Sequence, residues 1–197
     1  GNFKTIAGQS RKGIARLNSD GSLDTSLNST WNSGVNAMTV QPDGKIVVAG
    51  MFAVDAPNSW LGRLNKDGTV DTSFLVQAAS VACMALQPNG QILVGGTFTQ
   101  LCGQARSGLG RLNADGTLDP VFDPKAMNNA EVDSLGLQAD GKVLVGGAFT
   151  MLDGQSCHYV GRLKPDGTLD TSFYPNRSAD WPSPLLALQP DGRVLLF

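Results

Sequence analysis

The chain is poor in the residues that acid–base chemistry needs. It has one histidine, His158, and one glutamate, Glu131. His158 adjoins Cys157, but neighbours in an extended segment point apart, so the two do not make a nucleophile with its base. Cysteine is limited to Cys83, Cys102 and Cys157, each at a different place in the repeat described below. That gives neither a disulfide framework nor metal-ligand spacing. Charged residues are 16% of the 197, and the net charge of -2 offers no basic footprint for nucleic acid. No apolar run approaches the ~20 residues of a membrane-spanning helix. No signal peptide is visible, but the chain opens inside a repeat, Gly1-Asn2-Phe3 matching Gly96-Thr97-Phe98, so that lack carries little weight. Helical periodicity is missing throughout.

Glycine, by contrast, is abundant, at 24 residues, and much of it falls in a recurring phrase. Gln41-Pro42-Asp43-Gly44 precedes Lys45 to Phe52, and Gln87-Pro88-Asn89-Gly90 precedes Gln91 to Phe98. Gln138-Ala139-Asp140-Gly141 precedes Lys142 to Phe149, and Gln189-Pro190-Asp191-Gly192 leads to Phe197. A period of roughly fifty residues marks a repeat architecture. Each repeat holds two hairpins. Val81 to Leu86 alternates as a strand, Gln87 to Gly90 suits a type I turn closed by a left-handed glycine, and Gln91 to Phe98 returns. The Gly95-Gly96 pair predicts a bulge or a close backbone approach. Leu109-Gly110-Arg111-Leu112, the turn Asn113 to Gly116, and Thr117-Leu118-Asp119 supply a third and a short fourth strand.

Four antiparallel strands per repeat predict an all-β fold, a β-propeller of four repeats. The repeats are 35–80, 81–131 and 132–182, with a composite of 183–197 plus 1–34, in one domain over 1–197. The simplest closure is four blades, the last completed by both termini; the alternative is part of a larger propeller. The first strand carries large residues on one face (Met38, Val40) and small ones on the other (Ala37, Thr39), as crowding at a central axis requires.

An arginine and an aspartate recur eight residues apart: Arg16 and Asp24, Arg63 and Asp71, Arg111 and Asp119, Arg162 and Asp170. The hairpin register makes them cross-strand neighbours. A repeated bridge that fixes register or ties blades together is the preferred reading; a ring of arginines holding an anion is the other. The Asn18-Ser19-Asp20-Gly21 turn and its copies hold part of a calcium-loop pattern. The position two residues before each begins with arginine, the wrong charge for a cation ligand, so no metal is expected.

The phrases Leu86 to Thr99 and Arg162 to Phe173 resemble the bacterial delta-sixty repeat, and the resemblance covers the whole chain. It implies a β-propeller-like domain of unknown function, found in secreted or cell-surface bacterial proteins, with no established catalytic residues and no cofactor. The chain departs from the pattern at Ala56-Pro57-Asn58, where other copies have Gly-Gln, and at Leu27, where others have Phe74, Phe122 and Phe173.

Variation between copies falls on the rim opposite the tight turns. That rim is expected to carry Arg11, Trp60, Arg106, His158 and Tyr159 from one loop set, and Trp31, Tyr174, Arg177 and Trp181 from the other. Aromatic residues there suit stacking on sugars or anchoring a protein. The candidate ligand-binding residues are therefore Trp31, Trp60, Trp181, Tyr159, His158 and Arg106. The expectation is a non-enzymatic scaffold or interaction module, extracellular or at the cell surface, with a lectin-like glycan binder as the alternative. A protein or glycan partner is expected, no nucleic acid and no membrane insertion, and the chain acts alone or as a dimer completing a larger ring.

Overall fold

The computed structural model describes residues 3–11, 13–29, 34–50, 61–78, 80–125, 131–173 and 185–196. All regular structure among them is β. In chain order the strands are β1 (Thr5–Ile6), β2 (Gln9–Ser10), β3 (Val35–Val40), β4 (Ile46–Gly50), β5 (Leu61–Leu64) and β6 (Val70–Val76). Then come β7 (Val81–Leu86), β8 (Ile92–Gly96), β9 (Gln100–Leu101), β10 (Gln104–Ala105), β11 (Leu109–Leu112) and β12 (Glu131–Leu137). The last are β13 (Val143–Ala148), β14 (Met151–Leu152), β15 (Gln155–Ser156), β16 (Val160–Leu163), β17 (Leu186–Leu188) and β18 (Val194–Leu196).

Three blades result, each an antiparallel meander. The first is β3-β4-β5-β6, the second β7-β8-β11 and the third β12-β13-β16. The fourth strand is regular only in the first blade, where Val76 pairs with Leu61. In the second and third blades it shrinks to the single bridges Leu112↔Leu118 and Leu163↔Leu169. In the second blade Pro124 stands where Val76 pairs in the first, and proline has no N–H to donate to the ladder. The bulge foreseen at the glycine pairs is present, with its extra residue on the first strand: Val81 faces Gly96 and Cys83 faces Gly95, leaving Ala82 unpaired.

The tight turns close as the sequence requires. Gly90 N–H donates to the Gln87 carbonyl and Gln87 N–H to the Gln91 carbonyl, with Gly90 at φ 86. The core lies between blades. Ala37 of the first blade and Met84 and Leu86 of the second pack against one shared buried cluster, and Cys83 and Ala85 of the second and Leu135 and Leu137 of the third against another. The two faces of each first strand thus meet two different neighbours, large residues of one against small of the next. This corrects the axis-crowding explanation: the size alternation records blade-on-blade packing.

The N-terminal segment packs Ile14 and Leu27 against Ile46, Val48 and Leu64 of the first blade. The β17–β18 hairpin sits beside the third blade. Among the described residues β18 pairs with β17 alone, so the fourth blade completed by both termini is not formed by the strand pairings seen.

Candidate functional site

The recurring arginines make a repeated clamp. Arg63 Nε donates to Asp71 Oδ2 at 2.9 Å, Arg111 Nε to Asp119 Oδ2 at 2.8 Å and Arg162 Nε to Asp170 Oδ2 at 2.9 Å. Each guanidinium also lies over a ring of its own repeat: Phe74, Phe122 and Phe173, at 4.5, 4.6 and 4.7 Å. A third contact crosses to the following blade. Arg63 Nη1 donates to the Ala114 carbonyl at 2.8 Å, Arg111 Nη1 to the Pro165 carbonyl at 2.7 Å, and Arg16 Nη1 to the Lys66 carbonyl at 3.0 Å. Each acceptor is the second residue of a third-to-fourth-strand turn. Arg63 and Arg111 are 7% exposed, so carboxylate, ring and carbonyl leave little guanidinium surface for an anion.

Sequence reasoning missed a further partner. Lys45 Nζ lies 2.7 Å from Asp71 Oδ2, Gln91 Nε2 2.9 Å from Asp119 Oδ2, and Lys142 Nζ 3.3 Å from Asp170 Oδ2. The signal was available, because these three residues all follow the glycine of the first turn. The second carboxylate oxygen is used as well: Asp71 Oδ1 accepts from the Ser73 N–H and hydroxyl, Asp170 Oδ1 from those of Ser172. Lys45 and Ser73 hold the Asp71 carboxyl well below the usual carboxylate range. Hydrogen bonds from Ser26, with help from Arg16, bring Asp24 to about 2. The turn carboxylates Asp20, Asp67, Asp115 and Asp166 accept from the backbone and hydroxyl of Ser22, Thr69, Thr117 and Thr168. The calcium-like pattern is thereby accounted for by turn geometry.

In the second and third blades the loops between second and third strands do not form a free rim. They fold back as the small hairpins β9–β10 and β14–β15, whose tips dock on the preceding blade. Cys102 N–H donates to the Gln77 carbonyl and Gly154 N–H to the Lys125 carbonyl. Their inward leucines cover the third strand; a Cβ added at Gly110 would lie 2.6 Å from Leu101 Cδ2, and one at Gly161 2.5 Å from Leu152 Cδ2. Glycine there lets those side chains lie against the third strand, in Leu109-Gly110-Arg111-Leu112 and Val160-Gly161-Arg162-Leu163.

Of the six candidate binding residues, Trp31, Trp60 and Trp181 lie outside the described residues, as do Tyr174 and Arg177. Arg106 is corrected: it is 8% exposed, with Nη1 donating to the Ala105 carbonyl and standing 3.8 Å from Asp123. It is folded into the blade and presents little to a ligand. His158 is exposed and Tyr159 half-buried. Their rings meet edge-on with centroids 6.0 Å apart, and His158 Nε2 lies 3.3 Å from Ser156 Oγ. Cys157 turns away; its Sγ is 3.4 Å from the Val160 carbonyl, and burial raises its pKa. Burial, with Asp133 nearby, pushes Cys83 up to about 12. None of these thiols is primed as a nucleophile.

Tyr159 has φ 65. At the same place in two other copies stand Gly13 and Gly108, with φ 75 and 72; in sequence the remaining copy has Trp60 there, outside the described residues. The backbone bonds confirm the equivalence, since Gly96 N–H donates to the Gly108 carbonyl and Gly147 N–H to the Tyr159 carbonyl. A bulky residue in the left-handed region costs about 1–2 kcal/mol. One repeat thus accepts strain to display a tyrosine beside the chain's single histidine. The spacing to the clamp arginine, three residues on in every copy, already aligns these positions; what the sequence did not show is the left-handed backbone of Tyr159. A second feature was also missed: a cavity of about 610 Å³ among the first-hairpin turns, lined by Leu137, Gln138 and Asp140 of the third blade and Leu188, Gln189 and Pro190 of the last hairpin. Near-identical turns had been read as scaffold alone.

The family described as "Domain of unknown function (DUF5122) beta-propeller" matches residues 1–27, 41–74, 87–122 and 138–173. No curated protein matches. Solved structures of similar fold include a selenomethionine-substituted virginiamycin B lyase from Staphylococcus aureus. It is 15% identical, aligned over 83% of this chain and 48% of that one, with a TM-score of 0.51. A streptogramin B lyase is 18% identical, aligned over 88% of this chain and 51% of that one, with a TM-score of 0.52. The chain therefore matches about half the length of each. At these identities the likeness is one of fold. It corrects the expectation of a non-enzymatic chain, because propellers of this kind include lyases and the scarcity of His and Glu is no argument against catalysis.

Proposed function

The chain belongs to the domain of unknown function (DUF5122) beta-propeller family, and from that premise we propose that it is a recognition module that binds a protein or glycan partner through the His158–Tyr159 segment. The observation that carries this is Tyr159 at φ 65, where two other copies have a left-handed glycine, Gly13 and Gly108, and the remaining copy has another aromatic residue, Trp60. Strained residues that the surrounding structure holds in place cluster at ligand contacts. Here the strain places a phenol next to an exposed imidazole on a blade edge otherwise built from scaffold. A tyrosine face can stack on a sugar ring or seat in a protein pocket, while the imidazole and Ser156 hydroxyl supply directional hydrogen bonds. Binding at this segment leaves room for turnover of what is bound, as in lyases of the same fold. The secreted or cell-surface setting enters the proposal through the family resemblance alone.

The test is a glycan array and a partner-capture screen run with the parent chain and with Tyr159→Gly. Tyr159→Gly should keep the fold and unfold at higher urea, by about 1 kcal/mol, yet lose the parent's binding. Equal binding by Tyr159→Gly and His158→Ala would remove the segment from consideration.

A further inference from the structure

Apart from Val121 on the second blade, at 72%, and Phe3, at 37%, the large apolar side chains left exposed among the described residues fall on two flanks. Leu17, Met38 and Val40 lie on the flank before and against the first blade, at 51%, 48% and 57% exposure. Leu185, Leu195 and Leu196 lie on the opposite flank, at 45%, 50% and 48%. The same repeat positions are sealed elsewhere. Leu64, Leu112 and Leu163 correspond to Leu17, while Val47, Leu93 and Leu144 correspond to Leu195; all six are 0% exposed. Single exposed leucines need no explanation, but two complementary patches at the two flanks do.

The hydrogen-bonding pattern stops at the same two places. Arg16, Arg63 and Arg111 each reach a turn carbonyl of the following blade. Among the described residues Arg162 reaches only its own repeat, at Asp170, Gln138 and Ser172. The matching acceptor at the other flank is the carbonyl of Ser19, the second residue of the Asn18 to Gly21 turn. No described residue donates to it. Likewise, among the described residues, the outer edge of β18 is unpaired, where β13 pairs with β16 and β8 with β11.

We infer that a second copy of this chain covers these flanks, the β17–β18 hairpin of each copy joining the N-terminal segment of the other to complete a shared blade. The register is set by the third blade, where Val143, Leu144 and Val145 face Leu163, Arg162 and Gly161. It places Val194 opposite Leu17, Leu195 opposite Arg16 and Leu196 opposite Ala15 of the second copy. Met38 and Val40 then meet the Leu185 and Ala187 face of β17, as Met84 and Ala37 pack against one shared cluster within one chain. Arg162 gains the Ser19 carbonyl, which extends the clamp across the join. Two such joins related by a twofold axis close the assembly and leave no strand edge. This inference rests on the fold and is independent of the recognition proposal.

Two single variants, Ala15→Cys and Leu196→Cys, test it directly. Mixed and oxidised, they should give a disulfide-linked dimer on a non-reducing gel, and neither should do so alone beyond the parent's background. A double variant that forms the bond only within one chain would mean self-closure, and it would overturn the inference. So would the lack of any bond. Leu195→Asp, which alters a side chain exposed in the single chain, should retain the parent's β circular dichroism while weakening dimerisation more than tenfold. A variant that associates like the parent would also overturn it.

Discussion

Arg63 and Arg111 each join three partners that the sequence lists separately: an aspartate eight residues on, a phenylalanine three beyond it, and a carbonyl about fifty residues away. The first was legible from spacing and hairpin register. The ring and carbonyl were not, because both need the blade-to-blade arrangement. Burial ranks the four copies. Arg63 and Arg111 are enclosed, with side chains 9% exposed, whereas the Arg16 side chain is 39% exposed and has Leu27 where a ring would stack. Arg111→Ala strands a buried carboxylate and should cost about 3 kcal/mol in urea unfolding. Arg16→Ala should cost under about 1 kcal/mol. Equal losses at both positions would mean that the clamp does not set stability. The aspartates add a pH dependence. Their folded pKa values are lowered, so their stabilisation is complete above the unfolded value near pH 4 and is lost as pH falls toward the folded value, about 2 for Asp24. The unfolding midpoint should therefore be flat above about pH 5 and fall steeply between about pH 4 and 2. A midpoint that instead falls between pH 7 and 5 would point to other groups.

At the scale of the element, hairpins were the most readable feature. The Gln-Pro-Asp-Gly and Asn-x-Asp-Gly turns close where they were expected, with the aspartate holding the backbone two residues on. The second-to-third-strand loops were read as an open, variable rim. Their residue content gave no sign that they fold back as β9–β10 and β14–β15 and dock on the preceding blade, since that docking uses backbone groups. The one readable trace is the glycine before the clamp arginine, Gly110 or Gly161, which makes room for Leu101 or Leu152. Gly161→Ala should force Leu152 aside and cost about 1–3 kcal/mol, measured by denaturant unfolding. Leu152→Ala in the same background should recover part of that loss. A neutral Gly161→Ala would show that the small hairpin is loosely seated.

For the whole molecule, the fifty-residue period was enough to fix an all-β propeller, because repetition constrains every blade at once. Closure was not legible. Matching phase at the two termini suits one chain closing on itself and two chains closing on each other equally well. Among the described residues the outer edge of β18 is unpaired and both flanks are apolar, and on these observations rests the inference that a second copy closes the ring. Activity was legible least, since a propeller displays its chemistry on few residues and Tyr159 looks ordinary until its backbone conformation is known. The most direct check on the architecture is the solution mass of the parent chain by light scattering, with small-angle scattering on the same sample. The predicted result is a mass near twice 20.6 kDa and a ring-shaped profile that a single copy of the chain does not fit. A single-chain mass at every concentration, with a compact profile, would contradict it.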